Sequence, residues 1–441
     1  MEQHFLTENH ALQPGKMSSF LKKIPPICSN KFPGTIQNTS FSILGFMKQN
    51  NLKAKALWPF FTLFLLTAGI LIGCATSTVA SENTPRPSWV NDEIYPFESL
   101  YFDWNGYRLH YIDEQPEGEI KGTVVAIHGN GTWSIIYRKM ITGLKAQGFR
   151  VVAMDHFGFG LSDFPHPQDF DYMPHSQAQV VKDLVESLDL QNITMVLQDW
   201  GGPIGLAVAQ AMPERMSGFL LMNTWAWPLP AYPEGEFNPY HAVHDRGRDA
   251  IMNPSFYLNG NLVRGGARGL ARRNAEKGSS KYAALEQMQM APYIDLEDPS
   301  ELLYQGVTLP VWISARSTVE DANFLASIEA NMDKINTLPV YFMFGDDTAF
   351  GPLKVDLGMH EERPLCPEGY VPESDELSWN TNCVNEKGEL TWPYLDRFLS
   401  LWNANAVVGV WQNPSYGHWL QDEVPEDGIE GVLKIWDASQ K

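Results

Sequence analysis

The sequence predicts a mostly parallel, doubly wound α/β sheet interrupted by an inserted helical cap. Three observations carry this. Short apolar, β-branched runs recur: "TVVAIH" (123–128), "RVVAMD" (150–155), "ITMVLQ" (193–198), "GFLLMN" (218–223), "PVYFMF" (339–344) and "VVGVW" (407–411). Continuous apolar runs of this length are what strands buried on both faces look like. Between them lie "IIYRKMITGLKAQG", "SQAQVVKDLVESLDL", "GGPIGLAVAQAM" and "TVEDANFLASIEANMDKI", with apolar residues at helical spacing. Alternating strand and helix builds a parallel sheet from crossover units. The third observation is a break in that rhythm. Residues 226–312 contain helical fragments and many aromatics but no strong strand, as expected of a cap.

Taken in order, residues 1–46 have no periodicity and read as a mis-called start or a disordered extension. From Met47 the chain carries a basic stretch (Lys48, Lys53, Lys55), the apolar run "FFTLFLLTAGILIG" and then Cys74. Leu71, Ile72, Gly73 and Cys74 resemble the lipobox of a bacterial lipoprotein, which makes 47–73 a signal peptide and Cys74 the lipidated residue. An apolar stretch of about 18 residues would also suffice for an uncleaved anchor, but a cysteine after Gly73 has no role there. The resemblance implies export and a lipid anchor in a bacterial bilayer, on the periplasmic side. Ala75, by the usual sorting pattern, favours the outer membrane. Residues 74–95 are polar with prolines and read as a tether, with folding expected from about Pro96.

The first part of the core should span 96–225, opening with an antiparallel hairpin over 97–113 around Asn105–Gly106. The cap follows over 226–312, and the second part of the core over 313–441, with an insertion near 353–390. Cys366 and Cys383 fall in that Pro-, Glu- and Asn-rich insertion. In an oxidising compartment they are expected to pair as a disulfide, the alternative being two free surface thiols.

Composition excludes some classes. A 441-residue chain that is 44% hydrophobic and 12% aromatic has a substantial core. Its 32 basic against 52 acidic side chains, a formal charge of −20, would repel nucleic acid and anionic lipid surfaces. Removing residues 1–73 takes away seven lysines and two glutamates, so the remainder is more acidic still. His241 and His244 in "HAVH" lack an evident third ligand, and no metal or cofactor is expected. "HDRG" at 244–247 follows no strand, and "VRGGARGLARRN" reads as a solvated basic face of the cap.

In open parallel sheets reactive groups gather at the carboxyl ends of strands. Four such ends are chemically loaded: "HGNG", "DWGG", "GDD" and "SYGHW". That order of turn, acid, acid and histidine is the order of the α/β-hydrolases, with the nucleophile elbow on "LQDWGG" and Asp199 in place of serine. An N-cap role for Asp199 would not explain the other three ends. Leu197 stands where many elbows carry a smaller residue.

Together "HGNGTWS", "DHFGFGLSD", "LQDWGG", "FGDDTAFGP" and "YGHWLQDEVPE" resemble the haloalkane dehalogenases over about residues 96–441. The resemblance implies a hydrolase that converts a haloalkane and water to an alcohol and halide through an alkyl ester on Asp199. His418 is then the base for ester hydrolysis, with Asp347 orienting it and Asp346 the alternative. The indole N–H of Trp200 and the amide of Asn130 would hold the halide, and their backbone N–H groups would form the oxyanion hole. Asn223 stands where one branch of the family has a glutamate, so the acid is expected from "GDD", in a pattern similar to the third dehalogenase subgroup. Trp225, Trp227, Phe256 and Tyr257 either line the pocket or pack the core. An epoxide hydrolase would use two lid tyrosines, drawn from Tyr240, Tyr257, Tyr282 and Tyr293. Gly131, however, stands where such enzymes usually have proline. A coelenterazine-oxidising luciferase and an inactive binding protein are more distant alternatives.

Overall fold

The computed structural model describes residues 86–166, 168–227, 263–293, 319–345, 370–372, 383–386, 390–391, 393–413 and 415–441. All lie within one compact unit, Ser77–Lys441. The signal and Cys74, the "HAVH" and "HDRG" motifs, Asp346, Asp347 and Cys366 lie outside the described residues, as do Tyr240, Phe256 and Tyr257.

β1 (Leu100–Trp104) and β2 (Tyr107–Glu114) form the expected antiparallel hairpin. Its turn residues Asn105 and Gly106 have φ of 54° and 89°, the left-handed pair for which Asn-Gly is suited. The apolar runs become β3 (Thr123–Ile127), β4 (Arg150–Met154), β5 (Ile193–Gln198), β6 (Met216–Met222) and β7 (Val340–Gly345). β8 (Tyr370–Pro372), β9 (Cys383–Asn385) and β10 (Leu390–Thr391) form a separate small antiparallel sheet within the expected insertion. β11 (Val407–Asn413) closes the main sheet, whose order is β1-β2-β4-β3-β5-β6-β7-β11. β2 pairs antiparallel with β4, and the pairings from β4 through β11 are parallel.

Every residue of β3, β5, β6 and β7 is buried because both faces of the sheet are covered. Alternate side chains feed two apolar layers, as the two-residue period of a strand requires. Val125, Ile127, Met195 and Leu197 share one layer with residues of α2 (Pro174–Ser187) and α3 (Gly201–Ala211). Val124, Ala126 and Val196 share the other with α1 (Arg138–Ala146) and with Val432 and Ile435 of the C-terminal helix Pro425–Ser439.

Within the expected cap, α4 (Val263–Asn274) and α5 (Ser280–Met290) form a packed helical pair. Ser279 caps α5 by accepting the Tyr282 N–H at 3.1 Å. Leu270, Ala271, Leu285 and Met288 of this pair join the second apolar layer.

Two expectations need correction. The tether is shorter than residues 74–95 at its far end. Val90 and Tyr95 are buried in the same layer as the cap helices, because both are apolar anchors in an otherwise polar stretch. The basic stripe of α4 does more than face solvent. Arg268, Arg272 and Arg273 are all exposed, but Arg273 also reaches the buried Asp422, as described below.

From β3 the chain runs to β4 on one side and then returns to β5 on the other. Loops leaving the ends of β3 and β5 therefore diverge, which opens a crevice at this switch point. Asn130 and Asp199 stand at those two ends.

Candidate active site

β5 ends in a tight elbow. Asp199 has φ of 52°, its N–H donates to the Asn223 carbonyl at 3.2 Å, and its own carbonyl accepts from Gly202 N–H at 2.9 Å as α3 begins. A non-glycine residue in the left-handed region is held there by its surroundings. Thr224 contributes by donating its hydroxyl to the Asp199 carbonyl at 2.7 Å. The larger Leu197 is accommodated because Gly205 faces it: a β-carbon there would lie 2.3 Å from Leu197 Cδ2.

The carboxylate of Asp199 has two different environments. Oδ1 accepts the backbone N–H of Asn130 at 2.7 Å, while Oδ2 lies 3.4 Å from Nε2 of His418. Asp199, His418 and the Asn130 N–H, the expected nucleophile, base and oxyanion donor, are thus brought together. The indole N–H of Trp200 is buried without an acceptor among the described residues, and its ring meets Trp225 edge-on at 5.1 Å. Asn130 Oδ1 is likewise buried without a partner among the described residues. Trp227 packs against Tyr394 and Phe398 beneath Arg397, which is a core position.

Asn223 draws three strand ends together. Its amide donates to the carbonyls of Gly417 at 3.0 Å and His418 at 3.1 Å, and its Oδ1 accepts the Gly345 N–H at 2.9 Å. Gly345 is the last residue of β7, immediately before Asp346 and Asp347. A β-carbon on Gly345 would lie 2.6 Å from the Tyr416 carbonyl, so the end of β7 lies against the Tyr416–Gly417 backbone.

Behind the "HGNG" turn, His128 donates Nδ1–H to the Gly129 carbonyl at 2.8 Å and accepts the His156 N–H on Nε2 at 2.9 Å. These two bonds select its neutral tautomer, and burial holds both imidazoles below the usual histidine range. Asp155, in "DHFGFGLSD", is structural. It accepts from Ser134 N–H, Leu161 N–H and His110 Nδ1 at 2.8, 2.9 and 2.8 Å. Burial pushes its carboxyl up, but His110 foremost, with His128 and the Leu161 N–H, holds it below the usual range.

Asp422, four residues after His418, is fully buried beside Arg138 Nη2 (2.9 Å), Lys139 Nζ (3.3 Å), Arg273 Nε (3.4 Å) and Asn274 Nδ2 (2.8 Å). Arg273 also stacks on Trp419 at 4.8 Å. Asp422 is not singled out by sequence pattern, because its role depends on tertiary neighbours.

A family model described as α/β hydrolase fold matches residues 122–247. Haloalkane dehalogenase 2 of Mycobacterium tuberculosis is 43% identical over 148 residues, covering 33% of this chain and 46% of the relative. The chain has an α/β-hydrolase fold and is similar to haloalkane dehalogenases over this stretch. A cis-3-alkyl-4-alkyloxetan-2-one decarboxylase of Shewanella oneidensis is 39% identical over 140 residues, 32% of this chain and 42% of that protein. The chain therefore matches about half the length of these curated relatives. The tetrameric structure of haloalkane dehalogenase DpaA from Paraglaciecola agarilytica shares the fold. Its TM-score is 0.54 at 20% identity, covering 78% of this chain and 96% of that one.

Proposed function

We propose that this chain belongs with the haloalkane dehalogenases it resembles and is a hydrolytic dehalogenase of small haloalkanes. The observation that carries the proposal is the divided environment of Asp199, with an N–H donor on Oδ1 and an imidazole nitrogen beside Oδ2. A carboxylate is ionised at neutral pH and needs no base to attack a saturated carbon. Oδ2 attacks the halogen-bearing carbon, the carbon–oxygen bond forms, and the carbon–halogen bond breaks with its electron pair leaving on the halide. Trp200 Nε1–H receives the growing negative charge. Asn130 adds its side-chain amide, since a carboxamide exchanges its two ends by a half-turn and a halide selects the N–H end.

Oδ1 is then the carbonyl oxygen of the ester. His418 Nε2 removes a proton from water, the resulting hydroxide adds to the ester carbon, and the Asn130 N–H already on Oδ1 stabilises the oxyanion. Collapse breaks the bond to the alkyl oxygen, which leaves as the alcohol by taking the proton from His418, and the acid left on Asp199 loses its proton to solvent, restoring the carboxylate. Asp347 supplies the orienting carboxylate. The course of β7 beside Gly417 and His418, held by Asn223, supports an acid from the segment directly after Gly345.

Kinship alone does not choose the reaction, because one relative of similar identity is named as a decarboxylase. The test is a panel of brominated and chlorinated alkanes, a terminal epoxide and a dialkyl oxetan-2-one. It should give halide release without comparable diol or carbon dioxide production. Diol alone would establish the epoxide hydrolase reading, and carbon dioxide alone the decarboxylase reading. We also propose export with lipidation at Cys74 and a Cys366–Cys383 disulfide, on the sequence patterns alone. Cys74→Ser should abolish lipid labelling and leave a larger precursor, and an unreduced digest should contain the linked peptides. Unchanged labelling and two alkylatable thiols would contradict them.

A further inference from the structure

We propose that Gln289, on the second cap helix, is a positioning residue that holds the Asn130–Gly131 turn in register with Asp199. The proposal rests on the dehalogenase reading for its kinetic consequences. Gln289 is fully buried on α5, and its amide donates to the Gly131 carbonyl at 2.8 Å. A carbonyl only accepts, so the amide end of Gln289 must face it.

The turn needs an external hold. Asn130 is flanked by two glycines, the most permissive backbone available. Gly131 sits at φ of +72°, and a β-carbon there would meet nothing within 4 Å, so packing does not fix it on that side. Two hydrogen bonds bracket the segment: His128 holds the Gly129 carbonyl at 2.8 Å, and Gln289 holds that of Gly131. Between them lies the Asn130 N–H that reaches Asp199 Oδ1. His128 belongs to the core, whereas Gln289 belongs to the cap.

Burying a carboxamide is costly unless it makes a bond that matters. Gln289 Oε1 has no partner among the described residues, and its neighbours Met288 and Met290 are apolar. An apolar side chain would fill such a site at lower cost, and the bond to Gly131 accounts for the amide. The cap helices are themselves fixed to the core. Leu285 and Met288 pack into the second apolar layer, and Arg273 and Asn274 of α4 bind Asp422 near His418. Docking of the cap thus sets the donor turn directly.

Gln289→Met keeps side-chain length and removes the donor. In the folded variant, hydrogen exchange of peptides covering 128–133 should quicken about tenfold, as expected for loss of one buried hydrogen bond, with 280–290 unchanged. With a bromoalkane, kcat should fall and inhibition by bromide should weaken by a similar factor, with KM changing less. Wild-type exchange at 128–133 overturns the proposal, as does a loosened turn with unchanged kcat and bromide inhibition. A wild-type protein that releases no halide would sink the dehalogenase reading, while the exchange measurement would still judge Gln289. Should the variant not fold, exchange in the wild-type protein under mild denaturant decides. Peptides 128–133 and 280–290 should lose protection together, and a turn that stays protected after α5 opens overturns the proposal.

Discussion

Asn223 donates to the carbonyl of His418 at 3.1 Å, and through its oxygen it holds the end of β7. Asn223 is thus a tie between the backbone at His418 and the end of β7. Asn223→Asp keeps the oxygen but sets a second oxygen against two carbonyls. We expect a loss of stability of roughly 2–3 kcal/mol from the broken bonds. Displacement of His418 should lower turnover about 100-fold. Thermal unfolding and steady-state halide release check the two effects separately.

Gly129 approaches the nucleophile closely, and a β-carbon there would lie 2.3 Å from both Cβ and Oδ1 of Asp199. Gly129→Ala therefore requires the carboxylate to move. Activity should fall by about 100-fold or more, while the far-ultraviolet circular dichroism is retained. Near-normal activity would mean that Asp199 has more freedom than the elbow shows.

Asp422 joins core and cap through opposite charges. Asp422→Asn leaves Arg138, 8% exposed, without its counter-charge, at a cost of about 3–5 kcal/mol. Burial pushes the Asp422 carboxyl up, but Arg138, Lys139, Arg273 and Asn274 outweigh it and hold it below the usual range. A folded value below the unfolded one means stability fully present above the unfolded value of about 3.9 and lost as pH falls through the folded value. The stability gap between wild type and Asp422→Asn should be widest above about pH 4 and shrink below it. Denaturant midpoints across that window measure it.

The sheet was legible in the sequence because each strand carries its own signal. "ITMVLQ" is apolar throughout and is buried throughout. Asp199 and His418 were legible because they stand at strand ends among glycines, in a fixed order. What local pattern could not show were the groups that act across the fold. Asn223 closes a loop to residue 418, Gln289 reaches back to residue 131, and Arg273, on an exposed stripe, pairs with residue 422. Each is a polar side chain whose partner lies more than 140 positions away, so its periodicity carries no information. Val90 and Tyr95 were missed for a different reason: Trp89–Val90 and Ile94–Tyr95 are two short apolar pairs among polar residues, too few to give a repeat, although Val90 and Tyr95 are buried.

The central claim is that Asp199 attacks carbon directly while His418 serves only the second step. His418→Phe separates the two steps, because displacement needs no base but ester hydrolysis does. The decisive measurement is halide released per active site together with the intact mass of this variant after exposure to a bromoalkane. The account predicts no more than one halide per site, with the alkyl mass retained on the peptide containing Asp199. Continued turnover at the wild-type rate with no mass gain would contradict it.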